Sequence, residues 1–146
     1  MNDLAPVVKK LLEEWKKDCE IGSDLALELA RVYQLQAKYL DGWSLVKQQI
    51  KLLELELKRL ELFKFNHYAY GPTPETKGWD YPASGKILRQ DVAMWVDADK
   101  QLQEKELLLA STKSRLETLT YILDTLKYRT QTIGNLIKYE MWKSGE

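Results

Sequence analysis

The chain has 146 residues with 22 basic and 22 acidic side chains, so its formal net charge at pH 7 is zero. This length is typical of one domain, and an apolar share of 45% argues against wholesale disorder. A balanced charge excludes a uniformly basic protein, so any site for a nucleic acid must depend on local charge.

Composition also points to the cellular compartment. Cys19 is the only cysteine, so the chain cannot form an internal disulfide, and a reducing environment fits. The N-terminus lacks the apolar stretch of a signal peptide, and no run approaches the ~20 apolar residues of a membrane span. We therefore expect a soluble, intracellular protein with no membrane partner.

The first predicted element is a short helix from about Pro6 to Glu20, within an N-terminal region of residues 1–22. Proline suits the first turn of a helix, because its missing N–H would have no partner there. Apolar residues recur at helical spacing in this helix: Val8, Leu11, Leu12 and Trp15. We expect Ser23 to cap a second helix that starts at Asp24.

Residues 23–70 form the predicted long helix region, in which Gly42 is the only weak point. An apolar seam with alternating steps of three and four residues comprises Trp43, Val46, Ile50, Leu53, Leu57 and Leu60. The next step falls on Lys64, where the apolar seam ends. A second apolar line comprises Leu45, Leu52, Leu55, Leu62 and Phe63. Two such lines predict a helix that is covered on both sides.

Residues 71–85 form the predicted loop, with three of the four prolines and three glycines. Helix resumes near Lys86 in the remaining region, residues 86–146, and we expect a break near Val96, with Asp97 capping the last helix. That last helix should run from about Ala98 to Trp142. A seven-residue row supports it, comprising Trp95, Leu102, Leu109, Leu116, Leu123, Thr130 and Ile137, beside a partner row of Leu119, Leu126 and Ile133.

These patterns predict one all-α domain, residues 1–146. It would be an elongated helical hairpin or bundle with two long helices, short N-terminal helices and coiled-coil-like packing. A 45-residue helix would span roughly 65 Å, far more than a small globular domain, so we expect other copies of the chain to cover the spare apolar surface. The residues predicted to form this oligomer interface are Leu53, Leu57, Leu60, Leu109, Leu116 and Leu123.

Catalytic signatures are missing from the sequence. There is no phosphate-binding glycine loop and no GxSxG elbow. A metal site is not expected, since His67 and Cys19 are the only histidine and cysteine. Paired carboxylates such as Asp97 and Asp99 are two residues apart, which favours a solvated face or a helix cap. We therefore expect a protein that is not an enzyme and needs no cofactor.

Local positive charge is the remaining signal. Residues 37–70 carry six basic and four acidic side chains. Lys47, Lys51 and Lys58 fall within about 40 degrees of one another on a helix, and Arg59 and Lys64 extend this stripe toward His67 and Tyr68. Lysines neutralise phosphates and aromatic faces stack on unpaired bases, so these seven residues are the predicted single-strand site. The alternatives are lysines that pair with Glu54 and Glu61, and aromatics that only fix the loop.

At this point the chain resembles the UvsY family of phage recombination mediator proteins. The resemblance starts with LLEEWKKDCEIGSD (Leu11 to Asp24) and QAKYL (Gln36 to Leu40). It continues with VKQQIKLLELELKRLELFKFNHYAYG (Val46 to Gly71) and VDADKQL (Val96 to Leu102). It closes with KYRTQTIGNLIKYEMW (Lys127 to Trp142). The order and spacing of these runs carry the match, because none is a sharp motif alone.

The resemblance implies a phage-encoded protein of the host cytoplasm that acts on single-stranded DNA in recombination, replication and repair. It implies a ring of roughly six or seven copies, without ATPase activity, that helps a RecA-type recombinase load onto strands covered by a single-strand-binding protein. The family's basic run before an aromatic-glycine turn is represented here by Lys58, Arg59 and Lys64. A position that is basic in the family is Leu62 or Phe63 here. A non-catalytic coiled-coil structural, adaptor or scaffolding protein remains the alternative function.

Overall fold

The computed structural model describes residues 5–145, and every regular element among them is helical. The α-helices are α1 (Ala5–Asp18), α2 (Leu25–Tyr70), α3 (Val92–Asp97) and α4 (Lys100–Lys143). Two short 3₁₀ turns, Pro74–Thr76 and Arg89–Asp91, lie between α2 and α3. The predicted all-α class with two long helices is confirmed.

The described residues form two compact units. The first unit comprises the described residues up to Gln49 together with those from Lys113 onward, and the second unit is Ile50–Thr112. Both long helices contribute residues to both units, because the divisions fall inside α2 and inside α4.

The ends of α2 follow from local chemistry. The N–H of Leu27 donates to Oδ1 of Asp24 at 3.1 Å, so Asp24 caps the helix rather than the predicted Ser23. At the other end, the N–H of Gly71 donates to the carbonyl of His67 at 3.0 Å. Gly71 has a φ of 96°, which glycine adopts without steric cost, so the helix ends there.

The core of the first unit lies among α1, the first half of α2 and the second half of α4. Its most deeply buried apolar side chains are Val8, Val32, Leu35, Tyr39, Val46, Leu119, Ile122, Leu126 and Ile133. Gly42, the predicted weak point of α2, lies where a side chain would overlap that of Leu11 in α1. The missing side chain at Gly42 therefore leaves room for Leu11 against the backbone of α2.

Charged side chains close the C-terminal end of α1 in the first unit. Asp18 accepts hydrogen bonds from Arg31 at 2.9 Å, Lys38 at 2.6 Å and the hydroxyl of Tyr39 at 2.9 Å. Arg129 of α4 is buried and donates to the carbonyl oxygens of Asp18 at 3.0 Å and Cys19 at 2.6 Å. These bonds satisfy carbonyls that a helix end leaves without partners.

The second unit has a small core of its own where α2 meets the loop and α3. Tyr68, Ile87 and Val92 are buried in it, and Ala69, Tyr81, Trp95 and Val96 pack against them. The last helix is capped by Asp99, whose Oδ1 accepts from the N–H of Leu102 at 3.0 Å, rather than by the predicted Asp97.

The residues predicted to form the oligomer interface lie mostly on the inner side of the helices. Leu53 is 1% exposed, so its prediction as an interface residue is revised: it packs within the chain. The other five are half-buried: Leu57, Leu60, Leu109, Leu116 and Leu123. All members of the second predicted line are exposed, namely Leu45, Leu52, Leu55, Leu62 and Phe63.

Candidate nucleic-acid interface

Basic side chains on α2 divide into those that reach solvent and those that do not. Lys51, Lys58 and Arg59 are exposed in the second unit, and within the described residues none of them is in an ion pair. Lys47 is exposed in the first unit, where its Nζ lies 4.6 Å from the centre of the Trp43 ring. The structure thus leaves the charges of Lys51, Lys58 and Arg59 available to an anion.

Lys64 is not available in this way. Its side chain is 2% exposed, and its Nζ lies 3.1 Å from Oδ2 of Asp99, whose side chain is 3% exposed. The same Nζ lies 3.8 Å from the centre of the Trp79 ring, a cation–π contact. The ammonium group therefore joins α2 to the loop and to the start of α4.

His67 and Tyr68 are equally enclosed. His67 is 2% exposed, with Nε2 2.8 Å from the carbonyl oxygen of Asp80 and Nδ1 3.1 Å from the hydroxyl of Thr76. Tyr68 is 1% exposed, and its hydroxyl donates to Asp99 at 2.5 Å. Both ring systems are used inside the second unit, and they hold the loop against α2.

The prediction that Lys64, His67 and Tyr68 contact nucleic acid is therefore revised. The sequence carried a signal for their burial, because the seam of α2 steps onward from Leu60 to Lys64, and the next steps reach His67 and Tyr68. The prediction that the apolar seam ends at Lys64 implied that these three residues lie on the surface. Asp99 supplies the counter-charge that allows a lysine to occupy a seam position.

The buried carboxylate of Asp99 is held in its charged form. Burial by itself raises its pKa, but hydrogen bonds from Tyr68, Leu102 and Lys64, together with the lysine charge, outweigh burial, so the pKa of Asp99 lies below 3.8. Burial and the same carboxylate raise the pKa of the Tyr68 hydroxyl well above its ordinary value. The carboxylate of Asp99 is thus charged near neutral pH.

Acid is expected to weaken the second unit through Asp99. Because its pKa is lower in the folded chain, its contribution to stability is complete above the unfolded value of 3.8 and is lost as the pH falls through the folded value. Asp99→Asn removes this contribution, so the difference in unfolding free energy between this variant and the wild type should shrink as the pH falls below about 4. Urea unfolding across this range measures it.

The matched control for this pH series is Asp97→Asn. Asp97 is exposed, and its side chain lies outside the network of Asp99. A constant difference between Asp99→Asn and the wild type across the series would contradict the assignment.

A different group of residues borders a pocket next to the loop. The pocket has a volume of about 680 Å³, and Phe63, Asn66, Tyr70 and Trp79 are among the residues that line it. Of these, Phe63 is 52% exposed and Tyr70 is 84% exposed. The sequence pattern places Phe63 in an apolar line and does not reveal the pocket, since the loop residues that complete it, from Gly71 to Trp79, lie 8 to 16 residues further along the chain.

Two other features are absent from residues 5–145. This part of the chain holds no group of three or more His, Cys, Asp or Glu residues arranged to bind a metal ion. Nor does any helix in it have the length and apolar character needed to cross a membrane.

Solved crystal structures share the helical fold of this chain. Crystal structures of the bacteriophage T4 recombination mediator protein UvsY in lattice types IV and II align with TM-scores of 0.74 and 0.73, each at 23% identity and over 93% of this chain. They are covered over 98% and 96% of their own lengths. The lattice type I structure aligns with a TM-score of 0.75 at 22% identity, over 92% of this chain and 98% of that one. No curated protein matches the chain.

The family comparison extends over most of the sequence. Residues 14–146 match the family described as "Recombination, repair and ssDNA binding protein UvsY". The matched part includes α2, the loop and α4, and therefore all of the exposed basic residues discussed above. The chain belongs to the UvsY family.

Proposed function

We propose that the chain is a recombination mediator that binds single-stranded DNA through the exposed cations of α2. The observation that carries this proposal is that Lys51, Lys58 and Arg59 are exposed and form no ion pair within residues 5–145, whereas Lys64 and Lys105 of the same unit are neutralised by carboxylates. A surface with uncompensated positive charge attracts phosphates and releases their counterions. The family description, which names single-stranded DNA, supports the same ligand.

The proposed contacts are sparse for one chain. Lys58 and Arg59 are adjacent, Lys51 lies two turns away on the same side as Lys58, and Lys47 in the first unit is a further proposed contact. Three or four phosphate contacts give weak binding at physiological salt. Repeating them in a homo-oligomer would raise the effective concentration for a long flexible strand. A duplex, with its ~150 bp persistence length, would follow such a surface at a higher bending cost.

Assembly and recombinase loading complete the proposal. The exposed leucines of α2 in the second unit, Leu52, Leu55 and Leu62, offer apolar surface to a neighbouring copy, and we propose a ring of roughly six or seven copies. Strand bound to such a ring would be bent and presented to a RecA-type recombinase, while the covering single-strand-binding protein loses contacts. The name of the T4 relative, a recombination mediator protein, supports the general role in recombination on which this proposal builds.

Binding to labelled oligo-dT across a salt series tests the proposal. The wild type should lose affinity steeply with salt and prefer oligo-dT to duplex of equal length. Lys58→Ala/Arg59→Ala should reduce the slope of log K against log salt by about 1.4 for each subunit that contacts the strand, because each phosphate contact contributes about 0.7. Fluorescence anisotropy at several salt concentrations provides the measurement.

The control for this series is Lys86→Ala, which removes an exposed lysine of the second unit away from α2. Its slope should equal that of the wild type. The alternative function, a coiled-coil adaptor whose lysines only face solvent, predicts absent or salt-insensitive binding for every variant.

A further inference from the structure

The pocket beside the loop continues a single face of α2. Arg59, Phe63, Asn66 and Tyr70 follow one another in steps of four, three and four residues, so they lie on one side of the helix. Arg59 is exposed and precedes the pocket, while the other three line it. A cation, two aromatic rings and an amide are therefore placed in a row.

The opposite wall of the pocket is held in position by the buried network. Trp79 is half-buried, with Nζ of Lys64 3.8 Å from its ring centre and the His67 ring 5.2 Å away at an interplanar angle of 80°. Thr76, also in the wall, lies 3.1 Å from Nδ1 of His67. These contacts fix an aromatic wall before any ligand arrives, which lowers the ordering cost of binding.

We propose that this pocket accepts an unpaired nucleobase of single-stranded DNA, while Arg59 holds a neighbouring phosphate. Phe63, Tyr70 and Trp79 supply aromatic surface for stacking, and the Asn66 amide can donate to or accept from a base edge. Arg59 and Phe63 are one turn apart, roughly 6 Å along the helix, so one strand can reach both. This inference rests on the proposed function, and it adds base contacts to the phosphate contacts.

The choice of a base over a second protein copy follows from charge and chemistry. The row starts with an arginine that forms no ion pair among residues 5–145, which favours a phosphate beside it. The pocket itself is mostly apolar and has Glu75 in its lining, so it suits an uncharged part of the same molecule rather than a second anion. The apolar pocket then requires that the molecule with this phosphate also carry a flat apolar group. A single strand has both features in every nucleotide.

The experiment compares oligo-dT with an abasic tetrahydrofuran oligomer of equal length, which keeps the phosphates and lacks bases. Wild-type protein should bind oligo-dT more tightly than the abasic strand. Phe63→Ala and Tyr70→Ala should each weaken oligo-dT binding about ten-fold and leave abasic binding unchanged. The matched control is Phe65→Ala, because Phe65 is 47% exposed on the same helix and lies outside this pocket.

Four results would overturn the inference. If the wild type binds the abasic strand as tightly as oligo-dT, or if Phe63→Ala weakens binding to both strands equally, the proposed base pocket is wrong. The proposed phosphate contacts are unaffected by either result. If Phe63→Ala changes the particle mass in light scattering, the pocket belongs to a contact between copies. If the wild type binds neither strand, the proposed function itself fails.

Discussion

Lys64→Met is expected to lower the free energy of unfolding by about 3–5 kcal/mol, the usual cost of removing one partner from a buried ion pair. The side chains of Lys64 and Asp99 are 2% and 3% exposed, so water cannot replace the lost ammonium group. Methionine matches the lysine side chain up to Cε and lacks only the terminal ammonium group, so the loss reports mainly on the charged group and its hydrogen bonds. Urea unfolding at one fixed protein concentration measures it, because assembly would otherwise shift the midpoint.

The control for Lys64→Met is Lys58→Met on the same helix, where the lysine is exposed and the change should stay within about 0.5 kcal/mol. A double variant, Lys64→Met/Asp99→Asn, should recover part of the loss because it no longer buries an unpaired carboxylate. If Lys64→Met left the free energy of unfolding unchanged and reduced the slope of log K against log salt for oligo-dT, Lys64 would instead be a DNA contact.

Arg129→Met is expected to cost about 3 kcal/mol in the first unit. The guanidinium group is buried and donates to the carbonyls of Asp18 and Cys19, and hydrogen bonds from a charged donor contribute about 1.5–3 kcal/mol each. Its positive charge also lies at the negative end of the α1 dipole. Removing it leaves both carbonyls at the end of α1 without this donor.

Two further variants serve as comparisons for Arg129→Met. Arg129→Lys should be intermediate, because a single ammonium group lacks the fork that reaches both carbonyls. Lys138→Met, an exposed change on the same helix, should leave the free energy of unfolding near the wild-type value. Hydrogen exchange of the α1 amides provides a local readout, and equal protection in Arg129→Met and the wild type would contradict the assigned role.

Helix positions were largely predictable because hydrophobic periodicity and helix-ending residues are local properties of the sequence. The predicted last helix, Ala98 to Trp142, compares with Lys100–Lys143, and the predicted loop starts at Gly71, where α2 ends. The caps were each misplaced by one or two residues toward the N-terminus. Ser, Asp and neighbouring acidic residues have similar capping propensity, so only the geometry of the first turn distinguishes them.

The candidate site was predictable only in part. The exposed cations of α2 follow from helical spacing, whereas the burial of Lys64 depends on Asp99, which is 35 residues away in sequence. The pocket likewise needs Trp79 from the loop beside Phe63 from the helix. Contacts between distant segments leave little trace in a local sequence pattern. Lys64, which occupies a seam position, therefore led to the prediction that the apolar seam ends there.

By itself, the sequence determined the helical class, the two long helices, the loop and the family, since these depend on local periodicity and on the order of residue runs. Only the tertiary structure decided which charged side chains are paired inside the chain and which are exposed to solvent. The physical reason is that a buried charge requires a partner, and the fold brings Asp99 to Lys64 and the end of α1 to Arg129. The basic side chains of α2 that stay exposed are Lys47, Lys51, Lys58 and Arg59, and these are the proposed contacts for a ligand.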